Sequence, residues 1–498
     1  MTSVQLLLPE GGLLRWHEKL ARVLAADGVD VFVALRPGAK PPVALTLLDA
    51  LERLLFARHC GASLEAAAPG DWMRASPASV DLVFDLTGHV EPAAGAIFPI
   101  YNGGVGEAAR DASLLDGRAP LLGLAKVLGG RRIVLAQALP ALERATVLRS
   151  GRDAVATRLT TLIRACVRSG GAGGGYAVAP IAPALGRGCI AFSSASLVAR
   201  ARSKLSRILA HEGHWRVGWR RLASEYDTTL ARLAWSTAEW SWLDDDRRRY
   251  FADPFLFEHD GVVHVFCEEY PYMTAKGVIS HFSLDEAGCA AAAPRIVLER
   301  PYHLSYPLVF KHESEIWMMP ESSGARALDL YRADPFPFRW TLDRTLISDM
   351  AISDATFFES DGRFWLTAAT NEDDGSSWDC LSLFSGQSPL GPWIRCGNGP
   401  VVIDASAARP AGGIVNRDGV LWRPAQDCTA GYGSGLALCR IDHVGDDGLR
   451  QSVECRLGPP TGAPPEGVHT LNAAAGFETI DAVGLRGKGR IQLFGGNA

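Results

Sequence analysis

The spacing of hydrophobic residues changes along the chain, and this change divides the sequence into two halves. In the first third, short apolar runs predict strands, and stretches with apolar residues every three or four positions predict helices. The predicted strands are residues 4–8, 29–35, 82–86, 97–101 and 131–142, and the predicted helices are residues 13–26, 43–59 and 152–168. Because strands that alternate with helices favour a mostly parallel sheet, residues 1–169 predict a Rossmann-like α/β domain with any site at its strand ends.

From about residue 250 the pattern becomes that of repeated β-hairpins, each with two apolar strands around a turn. The first repeat starts at Asp253, and later copies start at Tyr306, Asp354 and Ala411, with a weaker fifth copy near His469. Five units in residues 241–498 leave roughly 52 residues for each unit, which suits a four-stranded blade. The sequence therefore predicts an all-β five-bladed β-propeller over residues 241–498.

A glycine-rich run at residues 169–175 marks the boundary between the halves, because glycine holds regular structure poorly. Residues 170–240 then predict a linker and a basic helical connector. Within it, residues 200–221 interleave basic and apolar side chains. One interpretation is an interfacial helix that makes peripheral contact with a membrane or meets a phosphorylated substrate. The other is a solvated helix packed on the next domain.

Composition and charge narrow the function classes. Apolar residues make up 47% of the chain and the net charge is −5, which indicates a globular protein with no overall basic face for nucleic acid. No apolar run approaches the roughly 20 residues that span a bilayer. Residues 1–8 read as a strand and not as a secretion signal, so we expect a cytoplasmic protein. The 10 cysteines include no Cys-x-x-Cys pair, so neither a zinc site nor a disulfide framework is expected.

The repeat also places chemistry. The first residue of each hairpin and the last residue of its second strand lie at one end, and the innermost strands of a propeller line its channel. A structural repeat needs apolar residues there, whereas carboxyl groups that converge shift one another's pKa values, as acid–base catalysis requires. The alternative is that some of these acids cap turns. The candidate catalytic residues are Asp253, Glu268, Glu321 and Asp354, and the candidate substrate-binding residues are His303, Arg409, Gln426, Asp427, His469 and Asn472.

The first domain resembles the formyltransferase family. The resemblance rests on a strand ending in Phe84-Asp85-Leu86, the turn at Asn102, a strand at residues 133–137 and a helix at residues 153–168. It implies an active site with an asparagine, a histidine two positions later and a distant aspartate. Asn102 matches the asparagine, but Gly104 stands where the histidine would be. We therefore expect a degenerate scaffold, with N-formylation of an amino sugar, in which Asn102 would bind substrate, as the alternative.

The second half resembles two families of propeller proteins. Asp253-Pro254 and Asp354 are similar to blade starts of the arabinanase and β-xylosidase type of glycosidase, which implies that Asp253 acts as a base. Glu268, Glu321 and Asp354 then compete for the roles of acid and pKa modulator. Residues 252–255, 388–393 and 423–428 resemble the propeller domain of the plant glucosamine inositolphosphorylceramide transferase family, which implies glycosylation of a glycolipid.

These observations favour a cytoplasmic carbohydrate-active transferase, most simply a glycosyltransferase of glycolipid or surface-polysaccharide synthesis, with its site in the acidic mouth of the propeller. A furanosidase-like glycoside hydrolase and a glycan-binding propeller without catalysis are the alternatives. No cofactor is assigned beyond a nucleotide-sugar donor. No metal ligand is assigned either, although an acidic funnel offers the oxygen ligands that calcium takes. The sugar, the stereochemical outcome and the oligomeric state stay open.

Overall fold

The computed structural model describes residues 2–56, 61–75, 77, 79–172, 186–244 and 246–487. The glycine-rich boundary lies outside the described residues from position 173 onward. Two compact units divide the chain. The first contains residues 1–200, 372–379 and 402–405, and the second contains residues 201–371, 380–401 and 406–498.

The first unit contains α/β elements, as its hydrophobic pattern predicts. Its strands are β1 (Ser3–Pro9), β2 (Asp30–Arg36), β3 (Leu82–Asp85), β4 (Phe98–Tyr101), β5 (Gly104–Val105), β6 (Leu122–Leu128) and β7 (Arg131–Ala138). Its helices are α1 (Arg15–Ala26), α2 (Val43–Phe56), α3 (Glu107–Leu115) and α4 (Leu148–Arg168), followed by α5 (Cys189–Leu209), which continues past residue 200. No helix among the described residues is both long and apolar enough to cross a bilayer.

The prediction of a mostly parallel sheet is wrong for half of this unit. Strands β2, β1 and β3 form a parallel sheet in that order, whereas β5, β4, β6 and β7 form an antiparallel one. Tight turns with positive φ reverse the chain at once, at Asn102 and Gly103 between β4 and β5 and at Gly129 and Gly130 between β6 and β7. A parallel pair would need a crossover of a dozen or more residues. Helix α3 and strand β6 were not predicted.

Helix α4 is the central element of the first unit, and residues on most of its circumference are buried. Its Arg158 is 1% exposed and forms a two-pronged ion pair with Asp379, with Nε and Nη2 each within 2.9 Å of a carboxylate oxygen. The same guanidinium donates to the carbonyl oxygens of Glu372 and Ser376. Residues 372–379 are thus held by α4, although they come from the second half of the sequence.

The second unit is built from short antiparallel strands. The strands are β8 (Ala210–Arg221), β9 (Ser241–Trp242), β10 (Arg249–His259), β11 (Val262–Pro271), β12 (Val278–Leu284), β13 (Arg295–Leu298), β14 (Ser305–His312), β15 (Glu315–Ser322), β16 (Ala327–Ala333), β17 (Trp340–Ile347), β18 (Ile352–Ser360), β19 (Arg363–Thr370), β20 (Cys380–Gly386), β21 (Ile394–Arg395), β23 (Val415–Arg417), β24 (Val420–Asp427), β25 (Gly435–Gly445), β26 (Gly448–Leu457), β27 (Leu471–Ala474) and β28 (Phe477–Gly487). Strand β22 (Val402–Ile403) belongs to the first unit, and the short helix α6 (Thr229–Arg232) to the second.

These strands form five antiparallel sheets, the number that the hairpin repeat predicts. Sheet I is β10 to β13, sheet II is β14 to β17, sheet III is β18 to β21, and sheet IV is β23 to β26, each in sequence order. Sheet V has the order β27, β28, β8, β9, so it combines strands from both ends of the unit. The long β28 pairs with β8 in continuous antiparallel register from Phe477 opposite Arg221 to Gly484 opposite His214.

The prediction of a helix over residues 200–221 is wrong for its second half, because residues 210–221 form strand β8. Trp215, Val217 and Trp219 are buried at alternate positions, which is the period of a strand. Arg220 is also buried and pairs with Glu478 and Asp227, so it does not face a membrane. Only residues 200–209 keep the helical form that a membrane contact was expected to use.

The first strands of sheets I, II and III share one β-bulge. In each, two residues lie opposite one residue of the partner strand, between Ala252 and Phe255, Ser305 and Leu308, or Ser353 and Thr356. The first bulged residue is left-handed in every case, with φ of 50° at Asp253, 46° at Tyr306 and 54° at Asp354. Left-handed backbone at residues other than glycine costs about 1–3 kcal/mol and often marks functional positions.

Candidate functional site

The bulges and strand ends of the second unit bring five carboxyl groups together, which we call the acidic cluster. Asp253 and Asp354 are bulge residues. Glu268 and Glu321 lie on the second strands of their hairpins beside the bulges, because Ala252 lies opposite Glu268 and Ser305 lies opposite Glu321. Asp481 follows Ile480, the partner of Leu471, in sheet V. All five residues are buried.

Asp253 and Asp481 form the most highly connected part of the cluster. The Asp253 N–H donates to Asp481 Oδ2 at 2.8 Å, and the Asp253 carboxylate accepts from the Thr470 hydroxyl at 2.7 Å and from the Tyr306 N–H at 3.2 Å. His469 Nδ1 lies 2.7 Å from Asp481 Oδ2 and 3.7 Å from Asp253 Oδ1. Burial raises the pKa of Asp253, and the imidazole of His469 opposes that rise.

Glu268 has the weakest hydrogen-bond support of the candidate acids. The Tyr250 hydroxyl donates to Glu268 Oε1 at 3.4 Å, and His303 Nε2 lies 3.4 Å from the same atom. His303 Nδ1 accepts from the Gly277 N–H, which leaves its proton on Nε2, facing Glu268. Burial raises the pKa of Glu268 well above its usual range, and the neighbouring Asp253 and Glu321 raise it further. Glu268 is therefore the group best suited to carry a proton at neutral pH.

Asp354 and Glu321 share a buried arginine. Arg409 Nε donates to Asp354 Oδ2 at 2.6 Å, and Arg409 Nη2 lies 3.7 Å from Glu321 Oε2. Gln426 donates to Asp354 Oδ2 at 3.1 Å, and the Asp354 N–H donates to Glu321 Oε2 at 3.3 Å. Burial raises the pKa of Asp354, while the Arg409 guanidinium opposes the rise. Because Arg409 is committed to Asp354, this pair suits orientation and charge balance better than proton transfer.

Aromatic rings border the cluster. Trp215 stacks on His469 with ring centroids 3.8 Å apart, and the Arg409 guanidinium lies 5.0 Å from the ring centre of Tyr432. Tyr432 is 39% exposed and is the most open of these rings. Exposed aromatic faces beside buried polar groups are the surfaces on which sugar rings stack.

Tyr306 joins three sheets beside Asp253. Its hydroxyl bonds to Thr356 Oγ1 at 2.8 Å and accepts from the Gly412 N–H at 2.7 Å, while Phe255 packs edge-on against its ring. Tyr306 has no exposed surface. Tyr306 therefore fills the space between the first strands of sheets I and III, next to the acidic cluster.

Asp253, His469 and Asp481 are close enough to form a candidate metal site. Each of their four carboxylate oxygens already accepts a hydrogen bond within the protein, from Thr470, Tyr306, His469 and the backbone of Asp253. Burial lowers the pKa of His469, but the carboxylates of Asp481 and Asp253 outweigh it and raise the pKa above its usual value. A protonated imidazole is not a ligand. These residues therefore fit a hydrogen-bonded ion cluster better than a cation site.

His469 gives a testable dependence of stability on pH. Because its folded pKa lies above the unfolded value of about 6.5, its contribution is complete below that pH and is lost as pH rises through the folded pKa. We expect His469→Gln to lower the melting temperature more at pH 6 than at pH 9, measured by calorimetry. His312→Gln, outside the cluster, is the control. An equal loss at both pH values would contradict the ion pair.

Two candidate residues of the second unit have other partners. Asp427 Oδ1 accepts from the Thr429 hydroxyl and N–H, and its Oδ2 pairs with Arg456, so it caps a turn, as its alternative interpretation expects. Asn472 accepts from the Gly413 N–H and donates to the Pro254 carbonyl, which uses its amide to join strands.

Asn102 lies in the first unit. Its side chain donates to Ser113 Oγ and accepts from the Leu121 N–H, which holds the turn after β4. A cavity of about 260 Å³ lies near the carboxyl ends of β1 and β3, and its lining includes Tyr101, Glu107 and Arg110. The formyltransferase resemblance and its role for Asn102 stay predictions.

Several residues of the cluster were missed from the sequence: Asp481, Thr470, Tyr250 and Trp215. Asp481 had a usable signal, since it lies on the second strand of the fifth hairpin just beyond the residue paired with Leu471, as Glu268 lies on the second strand of the first hairpin. Thr470, Tyr250 and Trp215 had none, because their proximity depends on which sheets are neighbours.

Part of the chain is similar to a known protein family. Residues 244–468 match the family model described as glucosamine inositolphosphorylceramide transferase 1, N-terminal. This stretch contains residues 252–255, 388–393 and 423–428, on which the resemblance in the sequence rests, so that part of the prediction is confirmed.

Individual relatives that match the chain carry the same name as this family. Glucosamine inositolphosphorylceramide transferase 1 of Oryza sativa subsp. japonica is 36% identical over 198 residues, which cover 39% of this chain and 26% of the relative. The protein of the same name from Arabidopsis thaliana is 30% identical over 205 residues, which cover 41% of this chain and 27% of the relative. The chain thus spans about a quarter of the length of the curated relatives that it matches.

Solved structures that are similar include glycoside hydrolases. A family 117 glycoside hydrolase of Zobellia galactanivorans is 11% identical, with a TM-score of 0.36 over 54% of this chain and 90% of that chain. A family 43 β-xylosidase/α-arabinofuranosidase from a compost metagenome is 10% identical, with a TM-score of 0.35 over 48% of this chain and 91% of that chain.

Proposed function

We propose that this protein is a carbohydrate-active transferase that adds a sugar to a glycolipid or surface-polysaccharide precursor, with the acidic cluster as its site. The observation that carries the proposal is the convergence of Asp253, Glu268, Glu321 and Asp354 from three sheets into one buried group. All four residues lie within residues 244–468, the stretch matched to a family named for transfer to inositolphosphorylceramide. Action at a cytoplasmic surface is part of the proposal.

We infer further that the five sheets form a five-bladed propeller. Hydrogen bonds between neighbouring sheets support this arrangement. Sheet V contacts sheet I through Asp481 and Asp253, sheet I contacts sheet II through Asp253 and Tyr306, and sheet II contacts sheet III through Glu321 and Asp354. Asp354 then contacts Arg409, which precedes sheet IV, and Asn472 of sheet V contacts Gly413. This sequence of contacts returns to its starting sheet.

The proposed roles of base and acid follow from the different surroundings of Asp253 and Glu268. Asp253 is positioned by Thr470 and Tyr306, and it would accept the proton of the attacking hydroxyl as a general base. Glu268 would hold a proton and donate it to the leaving oxygen as a general acid. Arg409 would fix Asp354 and balance the charge of an anionic donor or acceptor, and a nucleotide sugar is the donor class that fits this role.

A furanosidase-like hydrolase is the second candidate, because the same pair of acid and base would act equally on water. The difference is the acceptor: a transferase retains the sugar on a hydroxyl of the acceptor, whereas a hydrolase releases it. A glycan-binding protein without catalysis would bind its glycan at the same acidic cluster and would need no proton transfer. N-formylation would involve the first unit and Asn102 instead.

The test is a substrate screen with the full chain. Nucleotide sugars are combined with inositol-phosphate lipids and polyprenyl-linked acceptors in detergent, and lipid products are followed by mass spectrometry; nitrophenyl furanosides and formyl-folate with amino sugars are run in parallel. We expect a sugar-modified lipid. Release of nitrophenol would favour the hydrolase, and a formylated sugar would favour the first unit. Ligand binding by the natural chain without any turnover, and unchanged binding when Asp253, Glu268, Glu321 and Asp354 are neutralised together, would overturn catalysis at the cluster.

A further inference from the structure

Two helices expose continuous apolar faces. On α2, five aliphatic side chains are 51–81% exposed: Val43, Leu47, Leu51, Leu54 and Leu55. On α5, six are 57–84% exposed: Ile190, Leu197, Val198, Leu205, Ile208 and Leu209. At 3.6 residues per turn, each set covers about a third of its helix circumference, so each is a single stripe.

The opposite side of each helix is the one that packs. On α2, Leu45, Leu48 and Glu52 are buried, and on α5, Phe192 and Ser196 are buried. The exposed stripes are therefore not the packing faces of these helices within the described residues. Exposed apolar patches of this size mark interaction sites.

Within the first unit the two helices are adjacent. The guanidinium of Arg200 on α5 lies 4.1 Å from the ring centre of Phe56 at the end of α2, and Arg200 also donates to the Thr146 carbonyl. The α5 stripe, together with the basic residues beside it, is the surface that we call the helical face.

The charges of these helices are one-sided. Helix α5 has four basic residues and no acidic residue, and exposed Arg202 and Lys204 flank its stripe on the two sides. On α2 the acidic residues are turned inward, since Asp49 pairs with Arg149, and Glu52 accepts from the N–H groups of Leu148 and Arg149. On α5 the exposed surface therefore combines aliphatic side chains with basic residues, whereas on α2 the basic Arg53 pairs with Glu65.

We propose that the helical face is a docking surface for the anionic lipid of a membrane. Aliphatic side chains would enter the boundary between headgroups and acyl chains, and the basic residues would meet anionic headgroups, as in interfacial amphipathic helices. A protein partner would be matched by the stripe, but it would not require basic residues on both of its sides.

This inference deepens the proposed function, because an enzyme that modifies a lipid-borne acceptor must reach it at a bilayer. It can fail independently, since turnover of a detergent-dispersed acceptor needs the acidic cluster and not the helical face. Conversely, vesicle binding needs no catalysis.

The test is flotation of the full chain with vesicles of phosphatidylcholine alone or with 30% phosphatidylglycerol. We expect at least about tenfold stronger binding to the anionic vesicles, and a loss of at least about tenfold with Arg202→Glu/Lys204→Glu. We expect a similar loss with Leu205→Gln/Ile208→Gln, which removes apolar insertion. The double variant Arg118→Glu/Lys311→Glu makes the same change in net charge at exposed positions elsewhere and should bind like the natural protein.

Thermal unfolding of each variant shows that folding is retained, which is expected because all four replaced side chains on the helical face are exposed. Equal binding by all variants, or no binding to anionic vesicles by the natural chain, would overturn the proposal. So would a concentration-dependent dimer, seen by analytical ultracentrifugation, that Leu205→Gln/Ile208→Gln dissociates, because the occupant would then be a second copy of the chain.

Discussion

Replacing Glu268 by glutamine is expected to lower kcat by about 10²–10⁴, the usual contribution of a positioned proton donor. Glutamine keeps the size and the contact with Tyr250, but it cannot give a proton to the leaving oxygen. The natural protein should also lose activity as pH rises through the raised pKa of Glu268, because the acid form disappears. The variant should lack this alkaline limb. Initial rates of sugar transfer between pH 5 and 9 measure both effects.

Glu269 supplies the matched control, since it is the next residue on the same strand and is equally buried. It faces away from the cluster and bonds to Arg249 and to the Ser280 hydroxyl. Glu269→Gln makes the same chemical change and should lower the melting temperature while kcat and the alkaline limb persist. If the two variants lose the same activity, Glu268 acts only through folding and the proposed acid is wrong.

Replacing Arg158 by methionine is expected to lower the free energy of unfolding of the first unit by about 3–5 kcal/mol, because it leaves the Asp379 carboxylate buried without its partner. Both side chains are 1% exposed, and three further hydrogen bonds from the guanidinium to residues 161, 372 and 376 would be lost. Hydrogen exchange of the α4 amides, measured as denaturant is added, gives the free energy of unfolding of the first unit.

An exposed arginine on α1 provides the comparison. Arg22 pairs with Glu18 and Asp71 at the surface, so Arg22→Met should lower the free energy of unfolding far less than Arg158→Met does. Adding Asp379→Asn to Arg158→Met should recover part of the stability by removing the stranded charge. Equal effects of Arg158→Met and Arg22→Met would show that the buried pair contributes no more than a surface one.

The sheets were predictable because their hairpins are specified locally. Asp260-Gly261, Asp361-Gly362 and Asp418-Gly419 all adopt the pair of positive φ angles that a two-residue hairpin turn requires. Sheet V was predicted only weakly, since its turn is Ala475-Gly476 and two of its strands come from residues 210–242. Pairing between β8 and β28 joins segments more than 250 residues apart, and no local pattern encodes it.

The candidate site was predictable to a similar depth. Carboxyl groups at equal offsets in successive repeats identify Asp253, Glu268, Glu321 and Asp354 as neighbours, and the structure brings them together. The sequence could not show which of the nearby polar residues reaches the cluster, because Gln426 and Asp427 lie on opposite faces of β24. Only the register shows that Gln426 reaches Asp354 and that Asp427 turns to Arg456.

Tyr306 has a consequence for the kind of substrate that can be used. Its ring is fully buried beside the acidic cluster, and its hydroxyl bonds to Thr356 of sheet III and to the Gly412 N–H. In the proposed propeller this ring would close the passage next to the cluster, so substrate would enter and product would leave by one opening. Such a site would favour the modification of chain termini or single headgroups over sliding along the interior of a polymer.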